Sequence, residues 1–302
     1  MDSAVLESEA VHDFAPLRSV LFVPANDGCR WIRALDSGAD ALILDLEDAI
    51  APNEKERARV SVPLSLSART QYMPIVLLRV NGLDTPWGEP DLEMAIRAHC
   101  DGILVPKAEG SSLSALPTED RPVIAIIETA VGLRSVHEVA AHPRVRVLLL
   151  GDADRYADMG LKYRPDGQEL LFARSLLVMA SATADLRPPF DVVDLDIHDN
   201  QELRAESVLG RSQGMGAKAC IHPGQIPIVN EVITPSLAEV ASARDVVEVY
   251  PAAIAGGSGV AVLNGKMIDL HLVLEVERTL SKIETKPSTY VYDDKSRFIQ
   301  GG

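Results

Sequence analysis

The chain has 302 residues, of which 47% are hydrophobic, enough to bury a large core in one domain. Its formal net charge of -15 argues against nucleic-acid binding, which needs a basic face for phosphates, and no apolar run approaches the roughly 20 residues of a membrane span. Three cysteines (Cys29, Cys100, Cys220), odd in number and without a C-x-x-C pair, argue against a disulfide framework and a zinc site and are expected in the core.

The start, MDSAVLESEA, is acidic and lacks the basic and apolar regions of a signal peptide, so a cytoplasmic location is expected. Short apolar runs with polar carboxyl ends then follow in order: SVLFVPAN (19–26), ALILDLED (41–48), IVLLRVN (75–81), GILVPK (102–107), VIAIIET (123–129), VRVLLLGDAD (145–154), FDVVDLD (190–196) and AKACIHP (217–223). Segments with helical spacing lie between them, among them 29–37, 91–98, 132–141, 168–184 and 201–213. AAIAGGSG (252–259) reads as a linker, Asn264-Gly265 as the turn of a hairpin, and 270–283 as a helix.

Continuous rather than alternating hydrophobicity means strands covered on both faces, and therefore parallel strands joined by helical crossovers. Eight such units fit a (β/α)8 TIM barrel with a C-terminal hairpin-helix extension. A doubly wound open sheet rarely needs eight repeats and would show a glycine-rich first turn, where PANDGCR has one glycine. The expected division is a tail over 1–16, the barrel over 17–250, and a hairpin, helix and tail over 251–302.

Barrels of this kind assemble their sites where the strands end. In order those ends carry Asp45, Glu47 and Asp48; Arg79 and Asn81; Lys107; Glu128; Asp152 and Asp154; Asp194 and Asp196; and His222. Three carboxylates within the four residues 45–48, at the end of a buried strand, demand positive partners. The mixture of carboxylates with a few cations suits a hard divalent ion such as Mg²⁺, and no H-x-x-H or Cys/His cluster competes as a transition-metal site. Arg18, Arg79, Lys107 and Arg174 are the cations able to meet a small anionic metabolite, although Arg174, in an apolar helix, also reads as a buried structural charge.

The blocks RSVLFVPAN, ADALILDLEDAIAPNEKERAR, LRVNGLDTPW, DGILVPKAE, IAIIETAVGL, LLLGDADRYADMG, FARSLLVMAS, GAKACIHPGQI and NGKMID stand in the order found in the citrate lyase beta-subunit-like family, and the chain resembles that family over residues 17–282. The family includes citryl-CoA, malyl-CoA and citramalyl-CoA lyases and belongs to the HpcH/HpaI aldolase superfamily. The resemblance implies a lyase that uses Mg²⁺, with Mn²⁺ as a substitute, and cleaves a 3-hydroxyacyl-CoA thioester to acetyl-CoA and a keto acid through an enolate. Coenzyme A is then part of the substrate, and the protein a homo-oligomer, a trimer or a dimer of trimers.

Carried over by position, the resemblance implies Glu128 and Asp154 as metal ligands and Arg79 as the cation that binds substrate and stabilises the enolate oxygen. Asp269 becomes the acid or base lent to a neighbouring subunit, with a helix N-cap as its competing role. Arg18 and Lys107 line the anionic pocket, Asp45 and Glu47 fix Arg79 and metal-bound waters, and Arg30, with Arg33, contacts the CoA pyrophosphate. Asp48 is expected to start the next helix, Asp152 to be an added acid or a turn former, and His222 to order its loop. Ala25 stands where relatives commonly have glycine, a departure in the loop that helps accept CoA. The same scaffold also fits a malyl-CoA-type thioesterase, a malate or citramalate synthase, a citrate lyase beta subunit acting only in a multi-protein complex, and a CoA-independent keto-acid aldolase.

Overall fold

The computed structural model describes residues 16–67, 74–98, 100–114, 116 and 121–284, so the expected tail, apart from Pro16, lies outside the described residues. The order of elements is β1 (Ser19–Pro24), α1 (Gly28–Leu35), β2 (Ala41–Asp45), α2 (Lys55–Ser67), β3 (Ile75–Arg79), α3 (Gly88–Arg97), β4 (Gly102–Val105), α4 (Gly110–Leu113) and β5 (Val123–Ile127). It continues with α5 (Ala130–Arg134), α6 (Val136–Ala140), β6 (Val145–Leu150), α7 (Ala153–Met159), α8 (Gln168–Thr183), β7 (Phe190–Asp191), α9 (Asn200–Ser212), β8 (Ala217–Cys220) and α10 (Ile226–Ile233). The eight strands pair in sequence order, all parallel, and β8 closes on β1.

Each strand is buried on both sides because it serves two cores. Val20, Ala41, Ile43, Leu77, Leu104, Ile124, Ile126, Val147, Leu149, Phe190 and Ala217 form one cluster, the filling of the barrel. Their alternates, including Leu21, Leu42, Leu44, Val76 and Leu78, join Trp31, Ala34, Ala58 and Val62 in the layer beneath the helices. The period-two exchange between clusters is why the sequence shows continuous apolar runs.

β7 is shorter than the expected 190–196 and pairs only at Phe190 and Asp191. Just past its end, the buried Lys218 ammonium donates to the Val192 carbonyl at 3.0 Å. The same layer holds Arg174, whose guanidinium donates twice to Asp191, at 2.8 Å each, and lies 3.3 Å from Glu206. Arg174 is thus a structural cation. The segment expected as one helix over 132–141 is two, α5 and α6, separated at Ser135.

The chain divides into two compact units, Met1–Ile233 and Thr234–Gly302. The second unit therefore takes α11 (Leu237–Ala255), which the expected boundary at 250 splits, together with β9 (Ala261–Leu263), β10 (Lys266–Ile268) and α12 (Leu270–Glu284). Its small core joins Val246, Ile268 and Val273. Asn264 and Gly265 both have positive φ, 49° and 77°, as a two-residue type I′ turn requires. No helix among the described residues is long and apolar enough to cross a membrane.

Candidate active site

Parallel closure brings every strand's carboxyl end to one face of the barrel, and register then sets neighbours there. Asp45, last in β2, lies beside Arg79, last in β3. The carboxylate of Asp45 accepts from Arg79 Nε at 2.7 Å and from Nη2 at 2.6 Å, a bidentate pair in a buried setting. Nη1, the remaining nitrogen of the fork, lies 2.8 Å from Glu47 Oε2 and 3.2 Å from Asp48 Oδ2. Phe22 of β1 sits under the guanidinium, its ring centre 5.0 Å from Cζ. Burial works against the charge of Arg79, but Asp45, Glu47 and Asp48 outweigh it and hold the guanidinium more firmly protonated than an ordinary arginine.

Lys107 joins the other half of the site. Its ammonium lies 2.9 Å from Asp154 Oδ2 and 3.3 Å from Glu47 Oε1, while its backbone N–H donates to Glu128 Oε1 at 2.8 Å. That amide is aimed by a φ of 48°, a left-handed conformation that costs a lysine roughly 1 kcal/mol or more. Burial disfavours the charge of Lys107, yet the bond to Asp154 and the charge of Glu47 raise its pKa overall.

Glu128, at the end of β5, is buried, and burial followed by the nearby charge of Glu47 pushes its carboxyl up to about 7. Burial likewise pushes Glu47 up to about 7, against the pull of Arg79. Glu128 fits only because residue 151 is glycine, since a Cβ there would lie 2.6 Å from Glu128 Cβ and 2.7 Å from its Oε2.

Two buried carboxylate oxygens, Glu47 Oε2 and Asp154 Oδ2, accept no hydrogen bond although each lies against a cation. Among the described residues no three His, Cys, Asp or Glu side chains converge as a ready-made cage. Both observations suit Mg²⁺, which takes one or two protein carboxylates and keeps waters and substrate oxygens for the rest. Asp154, one of the two expected ligands, carries one of these oxygens, and Glu128, the other, meets the same Lys107 through that residue's backbone N–H.

Asp45, Glu47, Asp48, Arg79, Lys107, Glu128 and Asp154 thus form one cluster. Asp48, expected only to start a helix, is a half-exposed part of it. Arg18 is a correction: it precedes β1, at the amino end of the barrel, where its guanidinium grips Asp40 at 2.7 and 2.8 Å, so it does not join the strand ends. Arg30 stands exposed in the first turn of α1 and meets Asp27 at 3.2 Å. His222 Nδ1 accepts from the Gly224 N–H at 3.1 Å and orders its loop. Asp152 and Asp194 are buried and raised by that burial; Asp196 caps its own loop, accepting from the His198 N–H at 2.9 Å. In the second unit Asp269 Oδ1 accepts from the Leu272 N–H at 2.9 Å, which makes it the N-cap of α12.

Sequence patterning overlooks Lys55, first residue of α2, which is buried with its ammonium donating to the carbonyls of Leu46 and Glu47 and to Asn81 Oδ1. The only hint is a lysine in a helix without a clear apolar stripe.

The family described as HpcH/HpaI aldolase/citrate lyase matches residues 18–223. Among similar proteins, a (3S)-malyl-CoA thioesterase of Cereibacter sphaeroides is 36% identical over 90% of this chain and 96% of its own. A citrate lyase subunit beta of Leuconostoc mesenteroides subsp. cremoris is 33% identical over 94% of this chain and 97% of its own. Among solved structures, the protein CitE of Mycobacterium tuberculosis in complex with magnesium, acetoacetate and coenzyme A superposes with a TM-score of 0.76 at 29% identity, covering 88% of this chain and 97% of that one.

Proposed function

The chain belongs to the HpcH/HpaI aldolase/citrate lyase family, and from that footing we propose that it cleaves a 3-hydroxyacyl-CoA thioester of a di- or tricarboxylic acid into acetyl-CoA and a keto acid through an enolate. The observation that carries this reading is the Asp45–Arg79–Glu47–Lys107–Asp154 chain of charges, ending beside Glu128, at the strand ends. Glu128 and Asp154 would hold Mg²⁺, which when bound acts as a Lewis acid toward substrate oxygens. A CitE structure that contains magnesium and coenzyme A supports both requirements.

The residues divide the remaining work. Asp45 occupies Nε and Nη2 of Arg79 and fixes its orientation, while Nη1, paired with Glu47 and the exposed Asp48, is the nitrogen that substrate would have to share. When a carboxylate of the site takes the hydroxyl proton and the carbon–carbon bond breaks, the electron pair of that bond arrives on the thioester oxygen, where a guanidinium already in place stabilises it without reorganisation. Lys107, half-exposed at the rim, binds the substrate carboxylate. Protonation of the enolate carbon then requires a carboxylic acid, for which Asp269 of a neighbouring copy is the candidate.

The 36% identical relative named (3S)-malyl-CoA thioesterase favours a second reading, thioester hydrolysis on the same scaffold. A panel of CoA thioesters with Mg²⁺, with keto acid and free thiol followed separately, decides between them. A lyase releases keto acid without thiol; a hydrolase releases thiol without keto acid. Activity only with acyl-carrier thioesters points instead to a subunit of a larger lyase.

A further inference from the structure

We propose that Lys55 is a positioning residue that holds the β2 loop so that the Glu47 carboxylate meets Arg79 and Lys107. The proposal rests on the acyl-CoA reading above and concerns how that site is kept in register.

The loop after Asp45 has a hard task. It must carry Glu47 into a buried position and turn at once toward α2. Leu46 N–H donates to the Arg79 carbonyl at 3.0 Å and Glu47 N–H to Asp45 Oδ1 at 2.8 Å, which fixes the donors of the turn. The acceptors are fixed by Lys55. Its Nζ donates to the Leu46 carbonyl at 2.9 Å, to the Glu47 carbonyl at 2.8 Å and to Asn81 Oδ1 at 2.6 Å, so all three ammonium protons are used. The ring of Trp87 lies 5.5 Å from Nζ and flanks it.

A buried lysine ordinarily pairs with a carboxylate. Here the three acceptors are neutral, and charge balance comes at longer range from Glu47, Asp45, Asp48 and Asp91. Core filling alone is better served by leucine or methionine. What the ammonium adds is a three-point clamp on two adjacent peptides whose side chains point opposite ways, Leu46 into the core and Glu47 to the site.

The clamp is itself braced from α3 and α2. Asn81 Nδ2 donates to the Leu46 carbonyl at 2.9 Å and to Asp91 Oδ2 at 2.6 Å, and Asn81 N–H reaches the same Asp91 oxygen at 3.0 Å. Asp91 Oδ1 in turn accepts from Arg59 Nε at 2.6 Å. Lys55 and Arg59 stand four apart on α2, so one helix anchors both ends of a relay that runs under Glu47.

Lys55→Met keeps the length of the stem and removes the donors. With the wild-type thioester and Mg²⁺, kcat is expected to fall about 10- to 100-fold, as for supports of site residues elsewhere. KM and the Mg²⁺ affinity by calorimetry should change less than kcat, because Glu47 touches neither Glu128 nor Asp154 directly and is linked to both through Lys107. Asn81→Ala should lower kcat in the same direction, and the double variant should be no worse than Lys55→Met, since both act through one clamp. A crystal structure of Lys55→Met should show the Glu47 carboxylate displaced from Arg79 and Lys107. Unchanged kcat, an equal loss of Mg²⁺ affinity, multiplying losses in the double variant, or residues 46–48 in place in the variant crystal each overturns the proposal. If Lys55→Met does not fold, Asn81→Ala alone decides by kcat and by the position of Glu47. A wild-type enzyme that turns over no thioester strikes at the function proposed above, while the variant crystals still test the clamp.

Discussion

Asp45 and Arg79 are register partners at the carboxyl ends of adjacent strands, and two hydrogen bonds of 2.7 and 2.6 Å lock their planes together. The carboxylate fixes the guanidinium before any substrate arrives, so that a cation that must meet charge developing in a transition state pays no reorganisation then.

Arg79→Lys tests that arrangement. Lysine keeps the charge but cannot bridge Asp45 bidentately while presenting a third nitrogen. Steady-state kinetics should show kcat lowered by on the order of 10², with the fold intact by circular dichroism. Near-normal turnover would make Arg79 a purely structural ion-pair partner.

Gly151→Ala tests the packing around Glu128. The added Cβ would lie 2.6 Å from Glu128 Cβ, so either the β6 end or the carboxylate must move. Overpacking of this kind costs about 1–3 kcal/mol in denaturant unfolding. The displaced carboxylate should also weaken Mg²⁺ binding by about tenfold. A variant as stable as wild type, with unaltered Mg²⁺ affinity, would show that the strand end yields freely.

The pH dependence of metal-free stability has a defined sign. Glu47 and Glu128 ionise near 7 in the folded protein against an ordinary 4.5, so the folded state holds protons that the unfolded state has released. Their protonation favours the fold fully below about pH 4.5, and that contribution is lost as pH rises through about 7. Thermal melts without metal should therefore show Tm falling across that window, with a shallower fall in Glu128→Gln. Mg²⁺ should raise the wild-type Tm above about pH 7 and much less near pH 5, because ligand binding to the native state alone is stabilising and the proton competes with the metal. Equal Mg²⁺ stabilisation of Glu128→Gln would remove Glu128 from the ligand set.

Asp269 separates two roles by complementation. If it acts in the barrel of a neighbouring copy, Asp269→Asn and Glu128→Gln are each inactive alone, while co-expression at 1:1 restores about one quarter of sites in a closed homo-oligomer. Recovery at background returns Asp269 to catalysis within its own chain or to the cap of α12, the role visible in its bond to Leu272.

Much of this architecture is legible in the chain because its causes are local. Parallel strands buried on both faces need unbroken apolar runs, and a type I′ turn needs residues such as Asn264 and Gly265 that accept positive φ. Once eight such strands run the same way, their carboxyl ends share one face, so chain direction alone groups Asp45, Arg79, Lys107, Glu128 and Asp154.

A residue that precedes a parallel strand lies at its amino end, on the face opposite the site. Arg18, adjacent to an apolar run, sits at its amino end with Asp40 and never reaches the site. Composition does not reveal partners whose acceptors are backbone carbonyls: Lys55 is defined by Leu46, Glu47 and Asn81, and the buried Lys218 donates to the Val192 carbonyl. The sequence by itself determined strand order, hairpin and the roster of charged ends, since these follow from short-range pattern and chain direction. Tertiary structure alone decided which charges pair and which loop holds Glu47 in place, because those depend on hydrogen bonds between residues that only barrel closure makes neighbours.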